Sequence, residues 1–478
     1  MKKNRICSAF ALAMLMLALA GNTTAHAQTF SVKYNFGSAA NDPLQPYFSG
    51  IVAQGRDGNL YSTTEFGGAN RAGAMFKVTP SGTMTLQYSF PNTDSFPVAG
   101  LTLGTDGNFY GASASGGTSG YGTVFKITPS GPETVLHTFN NTDGYQPLAP
   151  PIQGTDGNLY GTTEIGGASS VGTVYKITPA GKFTLLHSFN GTDGISPDAP
   201  LVQGTDGHFY GTTYDGGSSS YGVVFKITAS GNLTVLYNFE FTHGARPDSP
   251  LVQGSDGSFY GTTSTGGAPG AGVIFKITPA GTLTVLHVLN GTTDGGYPTA
   301  GLVQATDGNF YGVNTAGGTN ACITGSGCGT IFKISPISPY AYTVLYNFDG
   351  TEGSYPAVTL VQHTNGTLYA DTNVGGTGAV SPCTVGLCGV FYSFNAGLRP
   401  FVGLVSTSGK VGNTIGILGQ GFTGTTGVSF NGTPAAVFKV RSGTFLTATV
   451  PSGATTGFVT VTTPRRQLKS NKKFRVTH

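Results

Sequence analysis

The sequence predicts an all-β fold, and three observations lead to this prediction. Only 9% of the 478 residues are charged and 76 are Gly, yet 38% are hydrophobic, too much apolar material for a chain that stays unfolded. Thr, Val, Tyr and Phe recur in short runs between clusters of Gly, Pro, Asn and Asp, which is typical of strands joined by turns. A unit of roughly 50 residues also repeats along most of the chain.

The first element is a predicted export signal. Basic residues within Met1–Arg5 precede the apolar stretch AFALAMLMLALA, and the small-x-small sequence A-H-A ends at Ala27. Cleavage after Ala27 would give a mature chain that begins at Gln28. We therefore expect residues 1–27 to be a signal peptide and the protein to be secreted, in the extracellular space or the outer cell envelope. No later segment is apolar and long enough to predict a membrane span.

The repeating unit contains four predicted strands. In one copy they are PLVQ (200–203), FYGTT (209–213), VVFKIT (223–228) and TVLYNF (234–239). An Asp-Gly turn follows the first strand and a Ser-Gly or Ala-Gly turn follows the third, and Gly suits both because it adopts positive φ without a steric cost. The Asp-Gly turn recurs at Asp57, Asp106, Asp156, Asp206, Asp256 and Asp307, with Asn365-Gly366 as a seventh, divergent copy.

The count of strands predicts a closed ring. The first three strand types occur seven times each, but the chain stops repeating before a seventh fourth strand appears. The missing strand is found at the start, where SVKYNF (31–36) has the sequence of a fourth strand. Repeats of this length with four strands are typical of propeller blades. We therefore predict a seven-bladed β-propeller over residues 28–397, closed by an N-terminal outer strand.

The repeat resembles a known family. Its unit G-T-D-G-N-L-Y-G-T-T, G-G, G-T-V-[FY]-K-I-T-P-[AS]-G and L-H-[ST]-F-N-G-T-D-G is similar to the GloVer tandem repeat of secreted bacterial proteins, whose members carry varied C-terminal anchoring segments. The resemblance extends from about Gln28 to Asn395. It implies export and a propeller-like array, and it implies no particular reaction.

A second domain is predicted over residues 398–478. Segments such as VGNTIGILGQGF, VSFNGTPA and TATVPSGATTGFVTVTTP indicate six or seven short strands with Gly, Pro and Asn turns, as in a β-sandwich. They resemble the IPT/TIG immunoglobulin-like domain. Such modules serve as spacers or binding domains.

The two domains carry opposite charge. Residues 28–398 contain 11 basic and 21 acidic residues, whereas residues 399–478 contain ten basic residues and no acidic ones. Clustered positive charge would attract an acidic surface polymer such as lipopolysaccharide, acidic polysaccharide or nucleic acid. The alternative is solvation of the sandwich, with attraction to the acidic propeller. The candidate polyanion-binding residues are Arg465, Arg466, Lys469, Lys472, Lys473 and Arg475.

The four mature cysteines form two close pairs. Cys322 and Cys328, and then Cys383 and Cys388, occupy the same place in two successive repeats, the connection between the second and third strands. Two local disulfides are expected in an oxidising compartment. Zinc is the alternative, but neither loop contains His, so we expect no metal.

Ligand binding is expected at the end of the propeller that carries the variable loops. These are the second-to-third connections and the blade-to-blade connections, and function concentrates on variable loops over a rigid scaffold. An ionisable residue recurs in the blade-to-blade loops and could bind cations or sugar hydroxyls. The alternative is that each Asp caps a local turn. The residues are Asp94, Asp143, Asp193, His243, Asp294 and Glu352, with Asp42 as a seventh.

No catalytic constellation is apparent. His137, His187 and His287 take a position that Tyr fills in other repeats, which indicates packing. Among the residues that break the repeat, Glu65 and Glu164 are the remaining candidates for acid/base catalysis, and Tyr214 and Asp215 are candidates for binding. Tyr214 and Tyr221 could replace the missing Trp in stacking on sugars.

We therefore expect a binding or scaffold protein, monomeric and without a cofactor, whose ligand is an extracellular glycan or protein. The alternative is a secreted carbohydrate-active enzyme, a hydrolase or lyase that uses the same loops.

Overall fold

The structure is a computed structural model and describes residues 28–46, 51–93, 96–131, 133–322, 327–378 and 388–477. The predicted signal peptide lies outside the described residues. Within them, every regular element is a strand except one turn of 3-10 helix at Phe241–His243. The all-β prediction is confirmed. None of the helices in the described part of the chain is long and apolar enough to cross a membrane.

Four-stranded antiparallel sheets repeat between residues 29 and 395, and the described residues contain seven of them, numbered here in chain order as sheets 1 to 7. The first strands are Ala53–Gln54, Thr102–Leu103, Ile152–Gln153, Val202–Gln203, Val252–Gln253, Val303–Gln304 and Val361–Gln362. The second strands are Leu60–Thr64, Phe109–Ser113, Leu159–Thr163, Phe209–Thr213, Phe259–Thr263, Phe310–Asn314 and Leu368–Asp371. The third strands are Ala74–Val78, Thr123–Ile127, Thr173–Ile177, Val223–Ile227, Val273–Ile277, Thr330–Ile334 and Val390–Asn395. The fourth strands are Met84–Ser89, Glu133–Thr138, Phe183–Ser188, Leu233–Asn238, Leu283–Val288, Tyr342–Asn347 and, for sheet 7, Thr29–Asn35. The architecture is propeller-like.

Sheet 7 is built from both ends of the repeat region. Its fourth strand, Thr29–Asn35, pairs antiparallel with Val390–Asn395, with Thr29 opposite Asn395 and Asn35 opposite Val390. The predicted pairing of the N-terminal strand is therefore present. A small additional pair joins Pro43–Leu44 to Phe66–Gly67.

The second strands are buried on both faces because a neighbouring sheet covers each side. Leu159 and Tyr160 are adjacent and both fully buried. Within the sheet, the Tyr175 ring on the adjacent third strand lies over Gly161, where a Cβ would collide with it. The hydrophobic pattern of these strands is continuous for this reason and does not alternate.

Consecutive sheets are joined through a buried aromatic residue that follows the fourth strand. In most copies this ring packs against an aromatic ring in the third strand of the next sheet. The pairs, with their centroid separations, are Phe90–Phe125 (5.2 Å), Phe139–Tyr175 (5.4 Å), Phe189–Phe225 (5.3 Å), Phe239–Phe275 (5.3 Å), Phe348–Tyr392 (5.4 Å) and Phe36–Phe76 (5.3 Å). The last pair connects sheet 7 to sheet 1. Leu289 takes the aromatic position between sheets 5 and 6 and is also buried.

The Asp-Gly turns are held by their own side chains. In one copy, Asp156 Oδ1 accepts the backbone N–H of Asn158 at 3.1 Å, and Oδ2 accepts the hydroxyl of Tyr160 at 2.8 Å. The same Asp–Tyr bond recurs at Asp57–Tyr61, Asp106–Tyr110, Asp206–Tyr210, Asp256–Tyr260 and Asp307–Tyr311. These aspartates stabilise hairpins.

A glutamine at the end of most first strands forms a hydrogen bond to the previous sheet, which we call a clasp. Its side-chain oxygen accepts a backbone N–H from the Asp-Gly hairpin of the neighbouring sheet. The bonds are Thr105–Gln153 (2.8 Å), Thr155–Gln203 (2.9 Å), Thr205–Gln253 (2.9 Å), Ser255–Gln304 (2.8 Å), Thr306–Gln362 (3.1 Å) and Thr364–Gln54 (3.0 Å). Sheet 2 has Leu103 instead, and there Arg56 donates to the carbonyl of Thr105. We call the end of the array that carries the Asp-Gly hairpins and these glutamine bonds the turn face. The opposite end, which carries the second-to-third and sheet-to-sheet connections, is the loop face.

Replacing Gln253 with Leu is expected to lower the free energy of unfolding by at least about 1 kcal/mol, since its two hydrogen bonds to Thr205 of the neighbouring sheet are lost. Chemical denaturation would measure the change. Replacing Leu103 with Met is the matched control, because that position has no clasp to lose. An equal loss in both variants would contradict a stabilising role for the clasp.

Residues 403–477 form two further sheets. One is four-stranded and one is five-stranded, with Ser408–Lys410 parallel to Gln467–Thr477. Their core is a separate cluster that includes Ile417, Phe430 and Leu446. The strands are Gly403–Leu404, Ser408–Lys410, Thr414–Leu418, Gly427–Phe430, Thr433–Pro434, Phe438–Val440, Phe445–Thr449, Gly457–Thr462 and Gln467–Thr477.

This C-terminal region rests on the turn face. Arg475 Nη1 donates to the carbonyl of Thr205 at 2.9 Å, and Thr444 Oγ1 donates to the carbonyl of Arg56 at 2.8 Å. The guanidinium of Arg56 also stacks over the ring of Phe445 at 4.7 Å. No salt bridge joins the two regions within the described ranges. Gln420 Nε2 also donates to Thr364 Oγ1 at 3.0 Å, so the contact combines hydrogen bonds with one cation–π pair.

Candidate functional site

The recurring carboxylates of the loop face are engaged in local bonds. Three accept a hydrogen bond from His Nε2 in the preceding fourth strand: His137–Asp143 (3.1 Å), His187–Asp193 (2.9 Å) and His287–Asp294 (2.9 Å). Each of these aspartates also accepts a loop backbone N–H, as Asp193 does from Asn190 at 2.9 Å. This geometry matches the turn-capping alternative. The three histidines also pack on rings, with His137 stacked on Phe183 at 3.9 Å.

The other predicted loop residues differ in their surroundings. Asp42 is buried and accepts bonds from the Tyr34 hydroxyl at 2.6 Å and the backbone N–H of Ser38 at 2.7 Å. Glu352 accepts the hydroxyl of Tyr346. His243 is exposed on the 3-10 turn. Asp94 lies outside the described residues.

A cluster of four carboxyl groups lies on the loop face between sheets 3 and 5. The acidic cluster consists of Glu164, Asp198, Asp215 and Asp248, and electrostatic coupling links Asp198 to the other three. Of these, Glu164 and Asp215 were candidates from the sequence, whereas Asp198 and Asp248 were not. The missed pair occupies equivalent positions in S-P-D-A-P and R-P-D-S-P, just before the first strands of sheets 4 and 5.

The backbone conformation positions the two segments that contain Asp198 and Asp248. Ser196 and Arg246, which precede the prolines, have positive φ of 54° and 57°. The Ser196 carbonyl accepts the backbone N–H of Tyr214 at 2.9 Å, which fixes the end of the second strand beside this segment. The equivalent residues of the other sheet-to-sheet connections also have positive φ, so this conformation belongs to the fold and not to the site alone.

Burial alters the acidity of the cluster. It raises the pKa of Asp198 well above its usual value, and the neighbouring charges of Glu164, Asp248 and Asp215 raise that pKa further. Burial raises the pKa of Asp248 to about 7, against the opposing effects of hydrogen bonds from its own backbone N–H and the Ser264 side chain and of the Arg246 charge. The Oδ1 atoms of Asp198 and Asp248 are shielded from solvent and have no hydrogen-bond partner in the described part of the chain. Asp248 is therefore partly protonated near neutral pH.

Glu65 and Glu164 take the same repeat position, but the structure does not bring them together. Burial raises the pKa of Glu65 to about 7 in sheet 1, and Glu65 is not among the charges acting on the cluster. Burial also raises the pKa of Glu164. Burial therefore raises the pKa of both glutamates, and burial cannot be read from the sequence.

Aromatic side chains and one cation adjoin the acidic cluster. The Arg246 guanidinium lies over the ring of Tyr214 at 5.1 Å, and its Nε is 3.9 Å from Asp215 Oδ1. Tyr221 and Phe241 have ring centroids 5.9 Å apart and are 39% and 46% exposed. Exposed rings beside carboxyl groups can stack on the apolar face of a sugar while the acids bond its hydroxyls.

The enlarged loop of sheet 6 contains a disulfide between Cys322 and Cys328, as predicted. Cys383 lies outside the described residues, so its pairing with Cys388 stays a prediction. No group of three or more His, Cys, Asp or Glu residues could hold a metal ion in the described ranges.

Three of the six predicted polyanion-binding residues line a cleft, and the other three do not. Arg465 and Arg466 are exposed on a turn, and Lys469 Nζ lies 3.9 Å from the centre of the Phe458 ring. Lys472, Lys473 and Arg475 instead line a cleft against the turn face.

Some solved structures are similar to this chain at low sequence identity. A fungal alcohol oxidase of the AA5 family, in complex with copper, is 16% identical with a TM-score of 0.50, over 91% of this chain and 98% of that chain. The extracellular domain of a B. thetaiotaomicron protein assigned as a hybrid two-component system is 11% identical with a TM-score of 0.48, over 92% of this chain and 57% of that chain. A Bacteroides uniformis protein assigned as a 6-phosphogluconolactonase is 18% identical with a TM-score of 0.45, over 70% and 99%. These likenesses concern the fold alone.

The repeat itself matches a family. No curated protein matches the sequence. The family model described as the Gloeobacter/Verrucomicrobia repeat matches residues 22–211 and 196–430, two overlapping stretches that together cover most of the chain. The chain therefore belongs to the Gloeobacter/Verrucomicrobia repeat family.

Proposed function

We propose that this chain is an exported binding protein whose loop face engages a glycan. In this proposal, residues 28–397 form a closed seven-bladed propeller and residues 398–478 form an IPT/TIG-like sandwich that acts as a spacer or adhesion module. The pairing of Thr29–Asn35 with Val390–Asn395 and the Gln54–Thr364 clasp support closure. Removal of residues 1–27 at the predicted cleavage site would deliver it outside the cytoplasm.

One observation carries the proposed glycan ligand. The four carboxyl residues of the acidic cluster are partly exposed, and they lie on the same side of the loop face as the exposed rings of Tyr221 and Phe241. A protonated carboxyl donates a hydrogen bond and an ionised one accepts, so the cluster offers both roles to sugar hydroxyls. Tyr214, Tyr221 and Phe241 supply the stacking surface.

Glu164→Gln is expected to weaken glycan binding about tenfold, because a hydrogen bond to a charged group contributes about 1.5 kcal/mol. A glycan array would identify the ligand, and calorimetry would compare affinities. Glu65→Gln is the matched control, since Glu65 takes the same repeat position in sheet 1. Equal losses in both variants, or binding of protein ligands alone, would contradict a glycan site at the acidic cluster.

A carbohydrate-active enzyme is the second candidate. It is favoured by the raised pKa of Asp248, about 7, beside a second carboxyl group in Asp198, because such a pair can divide the roles of acid and base. Release of new reducing ends from the bound glycan, lost in Asp248→Asn, would favour this second candidate over binding alone.

A further inference from the structure

A cleft of about 450 Å³ separates the turn face from the C-terminal region. The hairpin ends of sheets 4 to 6 form one wall, and Gln253 is among its residues. Phe458, Lys472, Lys473 and Arg475 form the opposite wall. The cleft lies at the opposite end of the sheets from the acidic cluster, so it is a separate site.

A β-bulge brings the two adjacent lysines into this wall. In a regular strand, consecutive side chains point to opposite faces. Here Lys469 pairs with Thr460, but Lys473 pairs with Phe458, so extra residues are inserted around Ser470. The Ser470 hydroxyl donates to the carbonyl of Lys472 at 2.6 Å and accepts the Val459 N–H at 3.0 Å, which stabilises the bulge. Bulges re-aim side chains in this way.

The positive charge of the cleft is not neutralised. Neither Lys472 nor Lys473 forms an ion pair within the described residues, and Arg475 donates to a backbone carbonyl. Asp256, the acid in the lining, already pairs with Lys276 at 2.8 Å and accepts the Tyr260 hydroxyl. The C-terminal region from Arg399 onward contains no Asp or Glu that could form an ion pair with these lysines.

The side chain of Lys472 is exposed where it lines the cleft. Desolvation lowers the pKa of Lys472, and no acidic group offsets this effect. An unpaired cation in such surroundings is stabilised by a bound anion.

We propose that this cleft binds a small organic anion, a carboxylated, sulfated or phosphorylated compound of about the size of a sugar. Lys472, Lys473 and Arg475 supply the charge, and the hairpin wall limits the size of the ligand. A long polymer would need the basic residues on one open surface, whereas Arg465 and Arg466 lie outside the cleft lining. The inference does not depend on glycan binding at the loop face.

The test is calorimetric titration of the full mature chain with inorganic phosphate and with glucuronate. The double variant Lys472→Ala/Lys473→Ala is expected to bind both probes at least about tenfold more weakly, since hydrogen bonds to charged groups are lost. The double variant Arg465→Ala/Arg466→Ala removes the same charge outside the cleft and is expected to match the unchanged chain. Glucose is the neutral control.

Two results would overturn the inference. The first is evidence that the basic residues act in surface adhesion. Either an equal loss of probe affinity in both double variants, or heparin binding without binding of either small probe, would provide it. The second is unchanged probe affinity in Lys472→Ala/Lys473→Ala while its unfolding midpoint without anion matches the unchanged chain.

Discussion

Replacing Phe36 with Ala is expected to lower the free energy of unfolding by about 3–5 kcal/mol, the usual loss for a fully buried Phe. Phe36 follows the N-terminal strand, is fully buried, and packs against Phe76 of sheet 1 at 5.3 Å. Its backbone N–H also donates to the carbonyl of Gly389 in sheet 7. The residue therefore joins the last sheet to the first, and chemical denaturation would measure its contribution.

Phe239→Ala is the matched comparison for this variant. Phe239 holds the equivalent position between sheets 4 and 5, with Phe275 at 5.3 Å. Similar losses at both positions are expected if the array is closed, because every junction then has neighbours on both sides. A loss below about 1 kcal/mol for Phe36→Ala alone, well short of a core truncation, would contradict closure through the N-terminal strand.

Replacing Asp371 with Thr is expected to stabilise the protein by about 1–3 kcal/mol at pH 7, the cost of a buried polar group without a partner. Asp371 is fully buried, and neither of its carboxyl oxygens has a hydrogen-bond partner within the described residues. Thr212 occupies the equivalent place in sheet 4 and donates to the carbonyl of Ser249. Chemical denaturation would show the gain, and the reverse change Thr212→Asp should destabilise sheet 4.

The gain at Asp371 should depend on pH. Burial raises the pKa of Asp371 well above its usual value, whereas the unfolded chain ionises this carboxyl near pH 4. Between those values only the unfolded state gives up the proton, so stability falls as pH rises above about 4. The difference between Asp371→Thr and the unchanged chain should therefore shrink below pH 4, and a gain independent of pH would contradict this origin.

The repeat made most of the fold predictable. Because the same sequence unit recurs many times, it predicts the strand positions, the hairpin turns and the partner of the N-terminal strand. The first strands are shorter than predicted, as Val202–Gln203 shows. The Gln clasps were not anticipated, since they join residues roughly 50 positions apart in neighbouring repeats.

The candidate site was only partly predictable. Glu164, Tyr214 and Asp215 were identified because they break the repeat, yet Asp198 and Asp248 break it equally at positions where Leu148 stands in the preceding connection. An alignment of the P-x-A-P and P-x-S-P segments would have revealed them. The cleft on the turn face was beyond prediction because a bulge and a contact between two regions create it, and neither leaves a periodic signal.

The strand at Thr29–Asn35 also has a consequence for folding kinetics. It is synthesised before every sheet, but its partner, Val390–Asn395, is synthesised after the other strands of the array. Contacts of such long sequence separation form late, so sheet 7 should be the slowest to assemble. Until then both strands expose unpaired edges, which are prone to pair with other chains. The period between export and closure of sheet 7 is therefore when this protein most needs protection from aggregation.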